Sequence, residues 1–209
     1  ASCGAQLNKR SCERRFANKR TLHGDIAARV EFRPVRIVWR SGQFKDEKNI
    51  DAADLALLER VSVLRPVGFP TDVMPLDTMV HGSRLGPKGF VRFHHLWPDR
   101  SLIALTVLWG WAGGESDRLT RLALKFWIEQ AFWGLSWMNR YVANHYSQVN
   151  SQMTGVYYVS SLAAECSVRY NLEGSMPSRG KRQSLVKLWK SSPARAGQVM
   201  ISTGSSTDL

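Results

Sequence analysis

Cysteine is scarce in this chain, and the three present, Cys3, Cys12 and Cys166, form no C-x-x-C pair. That excludes a disulfide framework and a zinc module built on paired cysteines, and it suits a reducing compartment. Charge-free apolar runs are short as well. Ser101 to Gly114, SLIALTVLWGWAGG, holds fourteen residues without a charge, too few to cross a bilayer alone. Acidic residues are missing from residues 174 to 207, where Arg179, Lys181, Arg182, Lys187, Lys190 and Arg195 stand unopposed. No hydrophobic secretory signal precedes the body, and a start at Ala1 rather than Met reads as a fragment or a processed mature chain.

Catalytic patterns are equally lacking. No Ser, His and Asp set and no Cys and His set can be assigned from spacing, and no general acid or base stands out. The stretch Gly82 to Gly89, GSRLGPKG, has the look of a phosphate loop but fails its pattern. The second Gly follows after only three residues, Pro87 precedes Lys88, and Gly89 supplies no hydroxyl for a metal. His94 and His95 are adjacent, so from one helix they point about 100° apart and cannot share a metal. The expectation is a chain without catalytic residues of its own.

What the sequence does hold is positive charge. Among 209 residues, 29 Lys and Arg face 17 Asp and Glu, a formal +12 with a pI near 10.1. Such a balance favours an anionic partner, RNA or anionic lipid. The excess sits at the ends: residues 1 to 40 hold ten basic residues against three acids, and the middle is close to balanced. The Arg-rich, acid-poor opening fits mitochondrial import, a feature that basic ribosomal tails share.

Four segments follow in order. Residues 1 to 64 read as a basic arm with one short helix at Asp51 to Val63, which starts with an Asp cap. Within this arm Val35 to Trp39, VRIVW, suits a strand without an evident pairing partner. Residues 65 to 100 are rich in Pro and Gly and are expected to lie extended over a neighbour. Residues 101 to 172 form a helical, membrane-associated region, and 173 to 209 a basic tail.

The helical region decides the expected fold class: mainly α, a helical hairpin plus one transmembrane helix, with extended basic N- and C-terminal arms. Leu119 to Tyr146 reads as one long amphipathic helix, which would reach about 42 Å. Its apolar face is aromatic, with Trp127, Trp133 and Trp137 beside Phe126, Phe132 and Tyr141. Ser101 to Gly114 would be the other arm of the hairpin. Met153 to Leu172 has the length and the flanking tyrosines of a span, with Glu165 and Arg169 four residues apart and able to pair on one face.

Arg140-Tyr141, Asn144-His145-Tyr146, Val149, Gly155 and Arg169-Tyr170, in that order around an apolar run, resemble the mitochondrial ATP synthase membrane subunit f family. The resemblance covers about residues 132 to 172. This chain departs from the family in its greater length and in the charges at Glu165 and Arg169. The resemblance implies a subunit without catalytic residues that braces the stationary membrane part of the complex. Tyr141, Tyr146, Gly155 and Tyr158 would then pack against other subunits, and Lys125, Arg140 and His145 would meet lipid phosphates. The aromatic helix adds Trp127, Trp133 and Trp137 to the packing set.

The resulting expectation is a structural accessory subunit in the mitochondrial inner membrane, with other subunits of a membrane complex as partners. No cofactor or metal is expected beyond bound anionic lipid such as cardiolipin. The rival expectation is a mitochondrial ribosomal protein that binds rRNA through its basic ends.

Overall fold

The computed structural model describes residues 13–20, 24, 26–41, 44–64, 68–75, 85–143, 151, 157–173 and 186–187. Two antiparallel hairpins open the chain. Strand β1 (Phe16–Arg20) pairs with β2 (Ile26–Val30), and β3 (Arg36–Ser41) pairs with β4 (Phe44–Asn49). Neither hairpin was expected as such, because β4 reads FKDEKN and carries no alternating apolar pattern.

Helix α1 (Ala52–Ser62) follows, fixed by a reciprocal cap. The Asp51 carboxylate accepts from the Asp54 N–H at 2.9 Å, and Asp54 accepts from the Asp51 N–H at 3.1 Å. The Lys48 ammonium bridges both carboxylates at 2.8 and 2.9 Å. Those two donors, Lys48 foremost, hold the Asp51 carboxyl at about 2.

Helix α2 (Asp99–Gly113) contains the charge-free run, and α3 (Arg118–Glu129) returns along it after a turn capped by Asp117, which accepts from the Thr120 N–H at 2.7 Å. A short α4 (Val168–Glu173) ends the described body. No helix among the described residues is long and apolar enough to cross a membrane. The expected mainly α fold with a transmembrane helix is therefore overturned, in two places.

The first correction concerns the long helix, which stops at Glu129. Beyond it the Ala131 and Phe132 N–H groups turn to carbonyls three residues back, on Ile128 and Glu129, and the Trp97 indole N–H donates to the Phe132 carbonyl at 2.8 Å. Ser136 N–H turns to the Trp133 carbonyl, and the Ser136 hydroxyl also bonds that carbonyl. Gly134 lowers helix propensity at the same point by about 1 kcal/mol relative to Ala. Residues 130–139 consequently form a chain of tight turns.

The second correction concerns the expected span. Residues 157–167 are extended or bent rather than helical. Their backbone is taken up by residues 139–141: Tyr141 N–H donates to Leu162 O at 2.9 Å, Ala164 N–H to Asn139 O at 2.9 Å, and Arg140 bridges antiparallel to Ala163. The β-branched and aromatic run Tyr157 to Val159 suits that conformation. Glu165 and Arg169 do not pair with each other. Glu165 binds the Arg100 guanidinium with both oxygens, and Arg169 pairs with Glu173 at 2.9 Å. Burial pushes the Glu165 carboxyl up, and the Arg100 charge opposes that rise.

Two apolar clusters make the core. Met74, Leu85, Phe90, Leu96, Met138 and Val159 form one, with Val30, Phe32 and Trp137 against it. Leu105, Ala112, Ile128, Ala131, Leu135 and Leu172 form the other, between α2, α3 and α4. Trp97 packs on both clusters and joins them. The Pro- and Gly-rich segment thus feeds the chain's own core through Met74, Leu85, Phe90 and Leu96.

Candidate nucleic-acid interface

The two hairpins differ in how they are held. In β1–β2, Ala17, Ala27 and Arg29 face inward and Phe16, Ile26 and Ala28 outward, as the period of two requires. The hairpin lies against the turn at Gly89, where the backbone takes φ +83°. There the Arg29 side chain is buried near His95, with the Asp99 carboxylate opposing its charge, and its Nε has no hydrogen-bond partner among the described residues. Burial lowers the Arg29 pKa from its ordinary value.

His95 is fully buried, and its Nδ1 lies 3.2 Å from the Gly89 carbonyl and 3.3 Å from the Val91 N–H. Burial first, then the Arg29 charge, holds its pKa down at about 3. Between pH 3 and 6.5 the unfolded chain therefore binds a proton that the folded chain refuses, and stability falls as pH drops. We expect acidification from pH 7 to 5.5 to cost about 1 kcal/mol through this group, by linkage. Urea midpoints measured across that range should show the loss, and His95→Asn should flatten the slope. A slope unchanged in the variant would place the acid sensitivity elsewhere.

The β3–β4 ribbon stands away from the core, and both of its faces are largely exposed. Register places Ile37, Trp39 and Ser41 opposite Lys48, Asp46 and Phe44 on one face. Trp39 and Phe44 are thus diagonal neighbours on that face, 41% and 81% exposed. On the other face Lys45 is exposed.

Charge is segregated in the same way. Across residues 13–20, 26–41 and 44–49, ten Lys and Arg stand against four acids, whereas residues 99–143 hold five against four. Arg15 and Glu31 pair at 2.8 Å and Arg36 and Glu47 at 3.0 Å. Arg14, Arg33 and Lys45 are exposed without an ion pair among the described residues. The hairpins are thus the basic part of the described structure and the helical body is nearly neutral.

No family model, no curated protein and no solved structure matches this chain. The interface must be judged on its own geometry.

The residues expected from sequence to act together are dispersed. Trp137 stacks on Phe32 inside the first cluster, with ring centroids 4.3 Å apart at 13°. Trp127 packs against the second cluster. Tyr158 lies half-buried under the Lys88 ammonium, 4.6 Å from its ring centre, while Lys88 itself donates to the Val159 carbonyl. Trp133 and Tyr141 are half exposed, and the Trp133 ring lies 6.0 Å from that of Tyr157.

Of the expected lipid-headgroup set, Lys125 lies over the Trp109 ring at 5.0 Å, and Arg140 donates to the Ser151 carbonyl at 3.0 Å. His145, Tyr146 and Gly155 lie outside the described residues. His94 and His95 meet edge to face at 4.5 Å, and no group of three metal-ligating side chains occurs among the described residues. Sequence reading passed over Trp39 and Phe44 as a pair. Their five-residue spacing was legible in the sequence, but β4 is too polar to be recognised as a strand.

Proposed function

We propose that this chain is a nucleic-acid-binding structural module, with the β3–β4 ribbon as the element that touches bases. The observation that carries the reading is the diagonal pair Trp39 and Phe44, exposed on one face of a ribbon that also carries the exposed Lys45. Aromatic side chains on a basic ribbon stack single-stranded bases without regard to sequence, at about 1–3 kcal/mol per base. The neighbouring cations, Arg33 and Lys45 among them, would follow the phosphates. Binding of this kind needs no cofactor and no catalytic residue.

Anionic lipid is the weaker partner. Its case from sequence rested on the positive charge that RNA would meet equally and on a membrane span over 153 to 172, of which residues 157–167 run extended or bent instead. The overall charge of +12 favours an anionic partner, and RNA meets it without a membrane span.

Fluorescence anisotropy with a labelled single-stranded 20-nucleotide probe, in ribo and deoxy forms, tests the reading. Expected are an affinity that falls log-linearly with salt and a loss of roughly 5- to 100-fold on Trp39→Ala or Phe44→Ala. Lys45→Glu should weaken binding and reduce the salt slope. Absence of binding at low salt, or alanine variants that bind like the parent, would sink the proposal.

A further inference from the structure

We infer that the outer face of α3, carrying Leu119, Leu122 and Phe126, seats an amphipathic helix of a partner protein whose flank is acidic. The inner face of α3 is already used: Ile128 is fully buried and Leu124 packs beside it on the second cluster. At about 100° per residue, Leu119, Leu122 and Phe126 fall within an arc of about 60°, roughly opposite Leu124 and Ile128. They are 58%, 50% and 48% exposed. One helix thus presents two apolar faces, and nothing in the described chain covers the second.

The spacing i, i+3, i+7 makes a ridge about two turns long, the form that the groove of another helix accepts. Charge selects that helix. Arg118 and Lys125 lie to one side of the ridge with Glu129 between them and it, Arg121 lies further round beside the buried Ile128, and Thr120 and Trp127 on the other side are uncharged. None of the three cations has an ion pair among the described residues. Arg121 donates to the backbone carbonyls of Glu115 and Ser116, and Lys125 lies over Trp109. Glu or Asp along one side of the partner would meet that flank, which sets both orientation and encounter rate.

A bilayer surface fits less well. Helices that lie in a membrane interface carry a broad apolar face between cationic borders, and this ridge is narrow with cations on one border only.

The test uses the full 209-residue chain and two labelled helical peptides with the same Leu ridge, one flanked by Glu and one by Lys. Anisotropy should show the Glu-flanked peptide binding at least tenfold tighter. Leu122→Gln with Phe126→Gln should abolish that binding while circular dichroism stays unchanged, because both residues are exposed. Arg118→Glu with Lys125→Glu should reverse the preference between the peptides. Equal affinity for both peptides, or binding of neither, overturns the proposal. So does displacement of the Glu-flanked peptide by phosphatidylglycerol vesicles, or a concentration-dependent dimer that the Leu122 and Phe126 changes abolish. These substitutions leave the hairpins intact, so oligonucleotide binding is a separate result.

Discussion

Replacing Gly89 by Ala is expected to destabilise the chain by about 3 kcal/mol and to free the β1–β2 hairpin from the body. Two costs combine there. The backbone at Gly89 takes φ +83°, a region that costs an L residue about 1–2 kcal/mol. An added Cβ would also fall 2.2 Å from the Ala28 carbonyl oxygen and 2.8 Å from the Arg29 Cα. Those are backbone atoms, so relief requires the strand to move. Gly24 and Gly68 supply the control, since both have positive φ and neither has an atom within 4 Å of an added Cβ. Their Ala variants should lose only about 1 kcal/mol each. Urea denaturation of the three variants separates the conformational cost from the contact. If Gly89→Ala costs no more than the other two, the hairpin is not seated as described.

Asn139→Ala should cost about 2–4 kcal/mol. Asn139 is fully buried and works as a hub. Its amide donates to the Ala164 carbonyl at 2.8 Å, and its side-chain oxygen accepts from the Ser151 N–H at 2.8 Å. Alanine leaves both backbone groups without these partners in a site where water is scarce. Asn139→Asp keeps the acceptor for Ser151 but turns a second acceptor toward the Ala164 carbonyl and buries a charge. We therefore expect Asp to be worse than Ala at pH 7 and to recover toward it as the pH falls and the carboxyl gains a proton. Thermal melts at pH 7 and 5 would show the ordering. Amide exchange should rise first in residues 157–167, which lean on residues 139–141. Unchanged protection there would mean that the segment is held by something else.

Both predictions rest on contacts between residues far apart in the chain, and this marks what could be read in advance. Local pattern determined a good deal. The Asp51 cap placed the start of α1 within the chain, the charge-free run with Gly113 and Gly114 at its end lies in α2, and the acids after it mark where α3 begins. The location of positive charge and the lack of paired cysteines are properties of composition and hold whatever the fold.

Where those patterns end was decided by tertiary structure. Nothing between Glu129 and Gly134 forbids a helix in the sequence, yet the Ala131 and Phe132 N–H groups turn to carbonyls three residues back, and an indole 35 residues away, on Trp97, binds the Phe132 carbonyl. Glu165, which looked like a helix partner for Arg169, is claimed by Arg100 from 65 residues away. Residues 153 to 172 have the length and flanking tyrosines of a span, yet within them residues 162–164 run antiparallel to 139–141 and exchange backbone hydrogen bonds with them. Trp39 and Phe44 are ordinary exposed aromatics until the register of β3 and β4 sets them on one face. Periodicity reports only which side of an element can be buried, because it samples neighbours three or four residues apart. Which distant carbonyl, carboxylate or ring competes for each group is fixed when the chain packs, at a free energy comparable to a turn of helix.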